Sequence, residues 1–171
     1  GLYFLQCTLY MRSVTLSFYV CGLLSPSPQN SPMPLPKSLN SSVQPLGKAT
    51  QFAEDIHEIV NQAPFFDELE TSEIKDLCEF MDCYTIRRGG LLIREGDAGD
   101  FLLIILTGTV NVIKNREDGG RRVIATVGPG ATVGEMAIVD NGTRFASCIA
   151  AETSRFAAMS RSRTTSTCRS V

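Results

Sequence analysis

The residues of this 171-residue chain best suited to chemistry lie together between Gly128 and Cys148, in the run Gly-Pro-Gly-Ala-Thr-Val-Gly-Glu-Met-Ala-Ile-Val-Asp-Asn-Gly-Thr-Arg-Phe-Ala-Ser-Cys. Gly134 followed by a short helix over Gly134–Val139 leaves backbone N–H groups free at the positive end of a helix dipole, and both favour an anion. Arg144, ten residues after Gly134, can return across the loop with a planar fork of donors matched to phosphate oxygens. Glu135 is the odd group, because a carboxylate beside a phosphate is repulsive unless it accepts hydrogen bonds from something else, such as a ribose hydroxyl. Together these residues sketch a pocket for a small sugar phosphate. The plainer alternative is a Glu135–Arg144 ion pair that merely pins a loop.

Other chemistry is thinly represented. His57 is the only histidine, so histidine-rich metal sites and Ser-His or Cys-His catalysis spread over several histidines are excluded, and His57 is given a helix-surface role. The six cysteines, at 7, 21, 78, 83, 148 and 168, form no C-x-x-C pair, and Cys78 and Cys148 are expected to be reduced core residues. Two carboxylates in the Gly96–Asp100 turn are too few for calcium, which leaves a plain hairpin turn. No nucleophile elbow and no phosphate-binding lysine loop occurs, so no catalytic residue, no metal ligand and no enzyme activity is expected. Charge points the same way. All 18 acids lie between Glu54 and Glu152, and residues 51–158 hold ten basic side chains against them, a net of −8 within a chain of net −2. No contiguous basic patch can track phosphates, which speaks against nucleic-acid binding.

The elements that must position the pocket follow from periodicity. Pro26 to Pro45 holds six of the eight prolines among Ser, Asn and Gln, so residues 1–49 are expected to be a leader and a disordered linker, with Met33 an alternative start. Phe52, Ile56, Ile59 and Val60 recur at helical spacing until Pro64, and Ile74, Leu77, Cys78 and Met81 mark a second helix with Thr71 or Ser72 as its N-cap. After Asp82 the period becomes two. Strands are predicted at Tyr84–Arg88, Leu91–Glu95, Phe101–Leu106, Thr109–Lys114, Arg121–Val127, Arg144–Ala150 and Arg155–Ala158, most of them separated by glycine-bearing turns. The fold class is therefore mainly β: a double-stranded β-helix, or jelly-roll, barrel with N-terminal helices and the short inserted helix.

The segment around Gly134 resembles the phosphate-binding cassette of the cyclic nucleotide-binding domain family. Gly134-Glu135-Met136-Ala137-Ile138 falls on the family's G-E-[LIM]-A-[LI], and Arg144 on its arginine at the same spacing. Upstream, Glu95-Gly96-Asp97-Ala98-Gly99-Asp100-Phe101 and Gly108-Thr109-Val110 match its E-G-D-x-x-D turn and x-G-x-V pair, and the likeness runs from about Phe65 to Met159. The resemblance implies a domain over residues 50–159 that binds a cyclic nucleotide, cAMP or else cGMP, with no further cofactor. Its implied ligand set is Gly134, Glu135, Met136, Ala137, Arg144, Phe145, Ala146 and Ser147. Within it Arg144 pairs with the exocyclic phosphate oxygens, Glu135 holds the ribose 2′-hydroxyl, and the N–H groups of Ala137 and Phe145 add donors.

Two departures accompany the match. Phe145 stands where the family has a small residue and can crowd the base, and Val133 replaces an aromatic. Residues 160–171 carry no helical stripe where the family has a lid helix, so they are expected to be a disordered, truncated or frame-shifted tail. The implied role is a cytoplasmic regulatory module acting on an unidentified protein partner or output domain, with a homodimer as one allowed arrangement. No DNA-binding motif and no membrane span is read in the chain. The alternative is a jelly-roll interaction domain that keeps the fold without the ligand.

Overall fold

The computed structural model describes residues 42–61, 71–134, 136 and 142–160. Along the chain come β1 (Val43–Lys48), a 3-10 turn (Ala49–Phe52), α1 (Ala53–Asn61) and α2 (Thr71–Glu79). These are followed by β2 (Met81–Ile86), β3 (Leu91–Ile93), β4 (Phe101–Thr107), β5 (Val110–Asn115), β6 (Arg121–Val127), β7 (Thr132–Val133), β8 (Ser147–Ala150) and β9 (Ser154–Ser160). The β-rich runs form two antiparallel sheets, one ordered β1-β2-β9-β4-β7 and the other β3-β8-β5-β6. The fold is mainly β and of the jelly-roll class, as expected, although the sheets face one another as open layers and do not close into a barrel.

Strand β4 shows why the apolar runs read as they do. Phe101, Leu103 and Ile105 point into the core between the sheets, where they meet Tyr84, Leu92, Val110, Cys148 and Phe156. Leu102, Ile104 and Leu106 point the other way, against Ile56 and Val60 of α1 and Ile74 and Cys78 of α2. With both faces covered, the strand has no polar side to alternate with. His57 of α1 shares a hydrogen bond of 2.8 Å with the Thr71 hydroxyl, which ties the two helices together. Thr71 is the first residue of α2, not its cap, and Ser72 lies inside the helix; Pro64 and Phe65 fall outside the described residues. Burial pushes the Cys78 thiol up to about 11 and, with the neighbouring Cys78 adding to it, the Cys83 thiol up to about 12. Both stay protonated and unreactive at neutral pH.

The linker expected over residues 1–49 is corrected at its end. Val43–Lys48 is an edge strand paired with β2, with Lys48 opposite Asp82. Pro45 and Gly47 disguise it: the register shifts between them, and an edge strand accommodates a proline because one side needs no N–H donor. Lys48 Nζ lies 2.9 Å from Asp82 Oδ1, which fastens the strand. Residues 1–41 lie outside the described residues. At the other end β9 runs through Ser160, paired with Phe101, one residue into the expected tail, and residues 161–171 lie outside.

Candidate ligand cavity

The Glu95–Asp100 turn and the segment before β8 lie side by side. Gly96 N–H donates to the Arg144 carbonyl at 2.9 Å, Arg144 N–H to the Asp97 carbonyl at 2.7 Å, and Gly99 N–H to the Gly142 carbonyl at 3.3 Å. Glu95 N–H donates to Ser147 Oγ at 2.9 Å, so the hydroxyl of Ser147 serves the backbone of the facing turn. The strand predicted from Arg144 begins only at Ser147. Residues 144–146 leave the ladder, and this bend carries the Arg144 side chain inward.

Arg144 is 3% exposed. Its Nη1 donates to the Gly134 carbonyl and its Nη2 to the Phe101 carbonyl, each at 2.7 Å, and the guanidinium lies 4.4 Å from the centroid of the Phe101 ring. A buried cation requires such partners, and they fix its orientation before any ligand arrives. Gly134 is needed for two reasons. Its φ is +88°, and a Cβ there would stand 2.6 Å from Arg144 Nη1 and 3.0 Å from Ile93 Cδ1. The two ends of the proposed cassette, ten residues apart in sequence, therefore meet.

Above them lies a cavity of about 380 Å³ lined by Glu95, Gly96, Lys114, Met136, Gly142, Thr143, Arg144 and Phe145. That volume suits a small molecule. Met136 and Phe145 are exposed large apolar side chains on its wall, whereas Ala146 is buried and does not line it. Glu135, Ala137 and most of the helix expected over Gly134–Val139 lie outside the described residues. Glu95 opens the matched E-G-D-x-x-D turn but has no partner in the sequence reading, and Lys114 has no role there. Their ion pair is 2.7 Å long and joins β5 to the turn before β4. Hydrogen bonding from Lys114, then from the Asn115 N–H, holds the Glu95 carboxyl below its ordinary value. Nothing in the sequence spacing of residues 95, 114 and 145 signals this meeting, because separate elements bring them together.

An arginine buried beneath a glycine-opened loop on jelly-roll sheets defines a small-ligand domain. The sequence profile of the cyclic nucleotide-binding domain family matches residues 85–170. A crystal structure of a cyclic nucleotide-binding domain from Methylobacillus flagellatus is 45% identical with a TM-score of 0.64, over 71% of this chain and 68% of that one. The regulatory domain of Toxoplasma gondii PKA in complex with cAMP is 28% identical with a TM-score of 0.61, over 68% of this chain and 44% of that one. The cyclic AMP receptor protein of Thermus thermophilus is 29% identical over 99 residues, 58% of this chain and 46% of the relative. The chain belongs to the cyclic nucleotide-binding domain family, and it spans about half the length of that receptor protein. The family is a regulatory ligand-binding domain, not a catalytic one. No helix among the described residues is long and apolar enough to cross a membrane.

Proposed function

We propose that this chain is a regulatory module that binds cAMP in the cavity above Arg144 and passes the binding event to a protein partner in the cytoplasm. The observation that carries the reading is the burial of the Arg144 guanidinium on the floor of that cavity, oriented by the Gly134 and Phe101 carbonyls. A singly charged cyclic phosphate is proportionate to one arginine, and in a low-dielectric setting each charge-assisted hydrogen bond contributes about 1.5–3 kcal/mol. Glu135 takes the ribose 2′-hydroxyl in this reading, and the N–H groups of Ala137 and Phe145 add donors to the phosphate. No metal or prosthetic group is required. The names of two relatives, a cAMP complex and a cyclic AMP receptor, support cAMP, and a human cGMP-dependent protein kinase 2 that is 28% identical over 92 residues makes cGMP the ligand to test beside it.

A second reading has its own observation. The guanidinium already satisfies two carbonyl oxygens, as an arginine that only braces the loop would, and Phe145 occupies the wall of the cavity. The domain would then be a docking surface without a ligand. Isothermal titration of the purified chain with cAMP and cGMP side by side separates the two. Saturable binding with cAMP the tighter ligand is expected, and the absence of binding by either nucleotide overturns the ligand reading.

A further inference from the structure

Lys114 performs three tasks at the rim of the cavity. Its ammonium pairs with Glu95 Oε1 at 2.7 Å, donates to the Phe145 carbonyl at 2.6 Å, and lies 4.3 Å from the centroid of the Phe145 ring. One side chain of β5 thus holds both the backbone and the ring of the residue that follows Arg144. Phe145 itself is 56% exposed, and with Met136 it forms the apolar part of a cavity whose floor is a buried cation. A cyclic nucleotide has the matching form, an anionic end and a flat π face. Aromatic rings hold bases by stacking, and a thioether adapts to a ring edge.

We propose that Phe145 is the platform on which the nucleobase rests, and that Lys114 is the positioning residue that holds the platform in place. The inference rests on the cyclic nucleotide reading of the same cavity. The ammonium lies over one face of the ring, and in this proposal the base takes the other. Glu95 completes the device by anchoring the ammonium, so that Lys114 is not free to swing toward the phosphate. Because every base has a π face, the platform favours nucleotides over base-free sugar phosphates more than it favours one base over another.

The test is a titration of the native chain, Phe145→Ala, Phe145→Leu and Lys114→Met with cAMP and with base-free ribose cyclic phosphate. Phe145→Ala and Lys114→Met are expected to weaken cAMP at least about fivefold, the low end of what stacking one base contributes, and to leave the base-free ligand unchanged. Phe145 is exposed, so its variants should melt with the native chain. The chain contains no tryptophan, so Phe145→Trp creates a single fluorophore on the platform. cAMP should quench it, Lys114→Met in that background should reduce the quench, and Lys114→Arg should restore it. Native-like cAMP affinity in both Phe145 variants, or equal losses for the two ligands, overturns the platform and leaves the nucleotide reading standing. Failure of the native chain to bind cAMP overturns both.

Discussion

Two lysine–carboxylate pairs of similar length serve opposite ends of this molecule. Lys48–Asp82, at 2.9 Å, staples the edge strand β1 to β2, with the Asp82 side chain 6% exposed. Glu95–Lys114, at 2.7 Å, spans the cavity rim, with the Glu95 side chain 18% exposed. The first joins residues that face each other in the strand register. The second joins separate elements and directs its lysine at a third residue, Phe145. Burial decides what each does. A pair shielded from water cannot lose one partner cheaply, whereas a rim pair adds little to stability and can be spent on positioning.

The comparison is broken most forcefully at the back of the domain. Asp82→Asn should cost about 3 kcal/mol, the low end for breaking a buried pair, because it leaves the buried Lys48 ammonium without its counter-charge while Asn keeps one acceptor oxygen. Urea unfolding reads the loss, and cAMP affinity should stay within about twofold; a loss confined to affinity would reverse the assignment of the two pairs. A smaller effect of the opposite kind is expected at the cavity. Gly134→Ala forces a left-handed backbone on a residue with a Cβ and pushes that Cβ against Arg144, so cAMP affinity should fall about tenfold. Titration calorimetry checks it, and unchanged affinity would separate Gly134 from the ligand site.

The smallest effect is a titration. The Glu95 carboxyl sits below its ordinary value of 4.5 because Lys114 and the Asn115 N–H donate to it. A lowered folded value means that the rim pair contributes above the ordinary value and is lost only as pH falls through the lower, folded one. Side-chain NMR should therefore place the Glu95 midpoint below 4.5, and Lys114→Met should raise it. A midpoint that ignores the lysine substitution would dissolve the rim pair as a unit.

What was legible in the sequence divides along the same line. The strand rhythm after Asp82 and the helical stripe at Ile56, Val60, Ile74 and Cys78 are local periods, and β2 to β6, β8 and β9 appear close to where the pattern places them. The meeting of Gly134 and Arg144 was also legible, since a fixed spacing carries it. Strand β1 was not, because Pro45 and Gly47 imitate a linker and only pairing with β2 makes the segment a strand. The two-residue strand β7 offers too few residues for any period to show, and Leu103 and Ile104 define it from across the sheet. Lys114 was equally hidden. A lysine on an exposed hairpin becomes a cavity residue only through its contacts with Glu95 and Phe145, which no spacing encodes.

The central claim is that Arg144 is a ligand arginine and not simply a brace between two carbonyls. Calorimetric titration of cAMP into the native chain, Arg144→Lys and Arg144→Ala, with the melting temperature of each recorded, addresses it directly. Affinity should fall at least tenfold in Arg144→Ala and recover poorly in Arg144→Lys, since an ammonium cannot reproduce the two-pronged contact. Native affinity in a folded Arg144→Ala would contradict the claim.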